Sequence, residues 1–143
     1  MSVKQISVFL ENKPGSLSHM TKVLADSGID MRAFSLAESS DFGIARIIVD
    51  DVYTTTTVLR DAGFIHAVSS VLAVALSDTP GGLHQVLSTL EAAQVNIEYM
   101  YAFLSSKKGG AYMIFRVTDE KSAAAALYEN KIPLVDQEEL SEL

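Results

Sequence analysis

Two short runs hold the residue types on which a binding site can be built. The first is Glu11-Asn12-Lys13-Pro14-Gly15-Ser16-Leu17, and the second is Ser77-Asp78-Thr79-Pro80-Gly81-Gly82-Leu83. In each, a proline-glycine pair leads straight into an apolar-periodic stretch, which predicts a helix N-terminus. A helix start presents unpaired backbone N–H groups and the positive end of the peptide dipoles, so it suits a carboxylate. Glycine, without a side chain, lets a small ligand approach that backbone. Asn12 and Asp78, short and polar, are placed to hold a ligand ammonium or a partner backbone. The same residues also suit a plain strand-to-helix turn with Asn12 and Asp78 as caps. Recurrence in two divergent runs narrows that choice without closing it.

Other chemistries find less in the sequence. His19, His66 and His84 are the only histidines, and none lies three or four residues from another, so no local metal-ligand spacing exists. The chain has no cysteine, which removes disulfides, thiolate metal sites and a cysteine nucleophile. Neither Gly-x-Gly-x-x-Gly nor Gly-x-x-x-x-Gly-Lys-Ser/Thr is present, and a hairpin turn accounts for Lys107-Lys108-Gly109-Gly110. No serine is singled out with a base and an orienter beside it. Met20, Met31, Met100 and Met113 fall at core-like positions. Tyr99, Tyr101 and Tyr112 suit an interface between copies or a stacking surface for a ligand. No catalytic residue, cofactor or metal is expected.

The elements that must position the two turns come from an internal repeat. With Pro80-Gly81 placed on Pro14-Gly15, an offset of 66, Ile6, Val8 and Leu10 fall on Leu72, Val74 and Leu76. Leu17, Met20 and Leu24 then fall on Leu83, Val86 and Leu90, and Ile29-Asp30-Met31 meets Val95-Asn96-Ile97. Farther on the offset is 68, with Ile47, Val49, Asp51 and Leu59 on Phe115, Val117, Asp119 and Leu127. The two added residues fall in a longer hairpin loop at 105–110.

Each copy reads as strand, helix, strand, strand, helix, strand. In the first, residues 3–11 alternate as a half-buried strand, and Pro14 stops it. A helix follows to about Ser27, ended by Gly28. Strands at 29–38 and 43–50 come next, then a helix at 52–62 capped by Asp51 and ended by Gly63, and a strand at 64–68. The Thr54–Thr57 run within that second helix is a poor helix former. The second copy predicts strands at 71–77, 95–104, 111–118 and 134–135. Its helices fall at 81–93 and after Asp119, and the acidic tail 136–143 frays or forms a short helix. This is an α+β chain of two ferredoxin-like βαββαβ units, residues 1–69 and 70–143, each an antiparallel sheet with helices on one face. Strand 95–104 is apolar on both faces, with Val95, Ile97, Tyr99, Tyr101 and Phe103 on one and Met100 and Ala102 on the other. That pattern, and the small size of each copy, predict copies packed side by side and a homodimer of chains.

Length and composition agree. The 143 residues are 48% hydrophobic and 20% charged, as in a packed globular protein. A net charge of −7 argues against a grip on nucleic acid or anionic lipid. No signal-like apolar core or membrane-length run is seen, so a cytoplasmic protein without a membrane partner is expected.

The Asx-x-Pro-Gly-x-Leu turn, the amphipathic helix and the following Gly-Ile-Asx-Ile type of strand start resemble an ACT domain. The first copy meets the pattern with Asn12, Pro14, Gly15, Leu17, Gly28, Ile29, Asp30 and Met31, and the second with Asp78, Pro80, Gly81, Leu83, Val95, Asn96 and Ile97. The resemblance covers nearly the whole chain, as a tandem pair with no catalytic domain attached. It implies a non-catalytic regulatory or sensor protein that binds an amino acid between two units. Asn12, Gly15, Ser16 and Leu17 would then face Asn96 and Ile97, and Asp78, Gly81, Gly82 and Leu83 would face Asp30 and Met31. Gln94 stands where the family often has glycine, and Asp30 replaces the usual asparagine, so the two sites are expected to differ, with the first-copy turn and Asn96 favoured. The alternatives are a regulatory subunit of a biosynthetic enzyme of the acetolactate synthase kind, a ligand-free assembly module, and a small enzyme on the same scaffold.

Overall fold

A computed structural model describes residues 2–38, 40–103 and 111–143. The elements in chain order are β1 (Val3–Glu11), α1 (Ser16–Asp26), β2 (Met31–Glu38), β3 (Phe42–Val49), α2 (Val52–Asp61) and β4 (Ile65–Leu76). They continue with α3 (Gly82–Ala92), β5 (Ile97–Ala102), β6 (Ala111–Val117), α4 (Glu120–Glu129), β7 (Leu134–Val135) and α5 (Gln137–Ser141). The expected longer loop at 105–110 lies outside the described residues. Among those that are described, no helix is long and apolar enough to cross a membrane. The chain divides into two compact units, Lys4–Ser69 and Ser70–Leu143, the second also taking the extreme N-terminus.

In the first unit the strand order is β2-β3-β1-β4, with β3 antiparallel to both its neighbours. Ile6, Val8 and Leu10 alternate onto the helix side of the sheet. There they bury with Met20 and Leu24 of α1, Leu59 of α2 and Ala45, Ile47 and Val49 of β3. The apolar residues of α1 recur every three or four positions, so one stripe of the helix faces that core. In the second unit the order is β7-β4-β6-β5. Its core repeats the pattern with Leu72, Val74, Val86, Leu90, Phe115, Val117 and Leu127. Each unit therefore has the ferredoxin-like order expected of βαββαβ connectivity.

Two features depart from the sequence reading. The strands expected at 64–68 and 71–77 are one uninterrupted strand, β4, because nothing between Ile65 and Leu76 is a glycine or proline that would break it. The alternation along β5 is also shifted. The β5–β6 register slips by one residue between Ile97 and Tyr99. Val95, Ile97 and Met100 therefore pack on the helix-side core, while Tyr99 and Tyr101 leave it and stack at 6.4 Å. An equivalent slip falls between Met31 and Ala33, so Met31 and Phe34 face the first core. A β-bulge at Arg32 and at Glu98 thus sits one residue beyond the Asx-Met and Asx-Ile pairs in both copies.

Helix ends follow their local chemistry. Asp51, Asp119 and Asp136 cap α2, α4 and α5 by accepting from the N–H of Thr54, Ser122 and Glu139. The Thr run of α2 is tolerated because three of its hydroxyls turn back on backbone carbonyls: Thr55 donates to Asp51, and Thr56 and Thr57 donate to Tyr53. Gly28 and Gly63 follow α1 and α2 with φ of 69° and 83°, and their counterparts Gln94 and Lys131 hold φ of 59° and 58°. A side chain in this left-handed region costs about 1 kcal/mol. Gly28→Ala should accordingly destabilise the chain by about that amount, whereas Lys131→Gly should be neutral or slightly stabilising; chemical denaturation of the two variants checks the contrast.

The two exposed caps also set a pH dependence. The Thr54 hydroxyl and amide hold the Asp51 carboxyl below its ordinary value of 3.8. The Ser122 amide and hydroxyl do the same for Asp119. A lowered carboxyl pKa stabilises the fold above the unfolded value and stops doing so as pH falls through the folded one. Asp51→Ala and Asp119→Ala should each lower Tm at neutral pH, and the gap to the parent chain should close as the pH is taken below 3.8. Thermal melts across that range measure it.

Candidate functional site

Helices α1 and α3 start differently from the other three. Their N-cap residues are Gly15 and Gly81, held left-handed at φ of 91° and 88°. Neither has a side chain to accept from the first turn, so the capping that Asp51, Asp119 and Asp136 provide elsewhere has no counterpart at these positions. Pro14 and Pro80 bring no N–H of their own, and the chain closes each turn through backbone bonds. Ser16 donates to the Lys13 carbonyl at 3.3 Å, and Gly82 to the Thr79 carbonyl at 3.0 Å. The cap position falls on glycine rather than on Asn12 or Asp78, three residues earlier.

In the first unit the turn is flanked by two clefts. The smaller, about 90 Å³, is lined by Asn12, Ser16 and Leu17 together with Glu11, Leu36, Glu38 and Gly43. The larger, about 530 Å³, is lined by Pro14, Gly15 and Ser16 together with Phe9, His19, Phe64 and Ile65. They share Leu10, Glu11, Lys13 and Ser16, so the start of α1 fronts both. Lys13 pairs with the Glu11 carboxylate at 3.1 Å, both exposed. Such a pair is worth little to stability and is free to exchange partners.

Asp30 and Met31 line neither cleft. The Asp30 carboxylate pairs with Arg32, the bulge residue, at 3.4 Å, and Met31 packs against the first core. Leu17 likewise lends part of its side chain to that core. In the second unit Asn96 and Ile97 line a separate cleft of about 430 Å³ with Leu87, Leu90, Glu91, Gln94 and Val95. The Asn96 carbonyl accepts from the Thr118 N–H at 3.0 Å, which fixes its backbone. Asp78, Gly81 and Leu83 are not part of that cleft.

The second turn has a further constraint. A Cβ on Gly82 would collide with the carbonyl oxygen of Ser77, whereas one on Gly15 or Gly81 would meet open space. Gly82 occupies the position of Ser16, so the second turn is pulled tight against its own strand end and the first is not. Ser77 and Thr79 add a hydroxyl pair at 2.7 Å across that turn.

Several lining residues were not singled out by sequence. Glu11 and Lys13 lie inside the first run but carry no motif. Glu38 and Gly43 reach the turn only because β3 pairs Gly43 with both Leu10 and Glu38, a register that no local pattern announces. Phe9, Phe64 and Ile65 read simply as strand residues. Among the described residues no group of three or more His, Asp or Glu side chains could hold a metal ion.

Fold and turns together define a tandem ferredoxin-like chain whose two marked helix starts are capped by glycine. The chain belongs to the ACT domain family, as an ACT domain pair whose family model matches residues 1–143. It is similar in structure to protein BT0572 from Bacteroides thetaiotaomicron, at 36% identity and a TM-score of 0.92 over 100% of this chain and 98% of that one. The regulatory subunit of aspartate kinase from Thermus thermophilus, in ligand-free form, aligns at 16% identity and TM-score 0.63 over 88% of this chain and 91% of that one. Aspartate kinase from Synechocystis aligns at 20% identity and TM-score 0.56 over 89% of this chain but 25% of its own. These last two share the fold. No curated protein matches the sequence.

The close approach at Gly82 predicts an asymmetric response to added bulk. Gly82→Ala should destabilise by about 1–3 kcal/mol, as overpacking against backbone does, and more than Gly81→Ala, where only the left-handed φ opposes the substitution. Urea denaturation of both variants measures the difference.

Proposed function

We propose that this ACT domain pair is a non-catalytic regulatory protein that senses an amino acid, with the ligand carboxylate at the glycine-capped start of α1. The observation that carries the reading is that start, a side-chain-free cap fronting two clefts. The polar lining of the smaller cleft, Asn12, Glu11 and Glu38, complements a ligand ammonium. Family membership supports a regulatory role. The regulatory subunit of aspartate kinase, which shares the fold, favours the variant in which this chain serves a biosynthetic enzyme.

Each half of the proposed recognition surface is open in its own unit, at the first-copy turn and at Asn96–Ile97, and needs a second ACT unit to close it. Asp78, Gly81, Gly82 and Leu83 with Asp30 and Met31 form the weaker set. Gly82 is held by Ser77, and Arg32 already engages the Asp30 carboxylate. Ligand that ties two units together shifts a dimer or partner equilibrium by its differential affinity for the two states. Two copies of the chain are the simplest assembly on which it would act.

A thermal-shift screen against the proteinogenic amino acids tests the proposal. A ligand at 100 times its Kd adds about 2.7 kcal/mol to stability, and no response at millimolar concentration would favour a pure assembly module. Gly15→Leu and Gly81→Leu carry the same backbone strain, so they separate the two turns. Gly15→Leu should weaken binding about tenfold or more, the worth of a charge-assisted hydrogen bond, and Gly81→Leu far less. Equal losses would remove the asymmetry.

A further inference from the structure

The larger cleft beside the Pro14–Ser16 turn has an apolar wall that the turn chemistry leaves unexplained. Phe9 and Ile65, from β1 and β4, are 39% and 73% exposed, yet both line this one cavity, where half-buried Phe64 joins them. His19 extends the wall, its ring 5.3 Å from that of Phe64. Single exposed apolar side chains are ordinary on a protein surface, whereas a convergent set in a cavity of ligand size is the mark of a pocket.

The second copy serves as an internal control. At the positions of Phe9, His19, Phe64 and Ile65 it has Ala75, Gln85, Ile132 and Pro133. Ala75 and Pro133 there line a smaller cleft, about 280 Å³, together with Glu139 of α5 and Leu143 beyond it, the latter buried. The chain thus covers this end of the sheet in the second copy with a leucine of its own, and leaves a larger, more aromatic surface uncovered in the first.

We infer that the first-copy turn selects an α-amino acid with a branched apolar or aromatic side chain. This rests on the reading of the α1 start as the carboxylate seat. The charged end sits at Gly15–Ser16 beside the polar smaller cleft, and the side chain lies in the larger cleft against Phe9, Phe64 and Ile65. Against Phe9, Phe64 and Ile65 a polar or charged side chain finds no hydrogen-bond partner in exchange for water, although Glu11, Lys13, Ser16 and His19 also line the cleft.

Isothermal titration of the full chain with glycine, alanine, valine, leucine, phenylalanine, aspartate and lysine tests this. Affinity should rise about fourfold for each methylene buried, the equivalent of roughly 0.8 kcal/mol, so leucine and phenylalanine should bind far tighter than alanine, and aspartate and lysine weakest. Ile65→Asp, at a site exposed enough to leave folding intact, should weaken leucine binding about tenfold or more and alanine binding by much less. Phe9→Ala should do the same to a smaller degree. A flat or polar-favouring series, or an Ile65→Asp chain that binds leucine as the parent does, overturns the apolar selectivity while leaving amino-acid sensing intact. Binding of none of the seven overturns the apolar selectivity, and no response to any proteinogenic amino acid in the thermal-shift screen overturns the sensing reading as well.

Discussion

Helices α1 and α3 begin on a left-handed glycine, and most of what distinguishes this chain follows from that constraint. A helix must give its first amide groups something to bond, and an aspartate side chain does so at α2, α4 and α5. At Gly15 and Gly81 no side chain is available, so the positive end of the helix is presented to whatever lies in front of it. Proline before the glycine removes one competing donor. The antiparallel sheet then fixes where that helix end points, through the buried faces of β1 and α1 that meet in the first core and those of β4 and α3 that meet in the second.

The two copies are the same device under different local constraints. In the first, Ser16 follows the glycine cap, and the turn fronts two clefts. In the second, Gly82 is held against the Ser77 carbonyl, so the backbone itself fills the space. Gly28 and Gly63 take up their left-handed positions without strain, while Gln94 and Lys131 hold the same conformation at a cost. Divergence has therefore acted on side chains and left the backbone plan unchanged, as expected where packing of two faces fixes the path of the chain.

Much of the architecture was legible in the sequence because its signals are periodic and doubled. The alternation Ile6-Val8-Leu10, the stripe Leu17-Met20-Leu24 and the aspartate caps each recur at a fixed offset, and all hold in the fold. The bulges at Arg32 and Glu98 were not legible, since an extra residue in a strand leaves no mark until its partner's register is known. That slip moved Ile97 to the core and Tyr99 away from it. Continuity of β4 was not legible for a related reason, since two strands in series look like two until their pairing in the sheet is known.

For the site, the sequence by itself determined the turn. Pro14-Gly15 and Pro80-Gly81, each leading into an apolar-periodic stretch, mark a helix start, and the structure adds that the cap falls on the left-handed glycine and not on Asn12 or Asp78. Tertiary structure decided what the turn faces. Glu38 and Gly43 arrive through strand pairing, Phe9, Phe64 and Ile65 through the ends of β1 and β4, and Ser77 through close approach to Gly82. Local conformation is set by the residues that adopt it, whereas a cleft is made of residues far apart in sequence, whose meeting depends on register and packing.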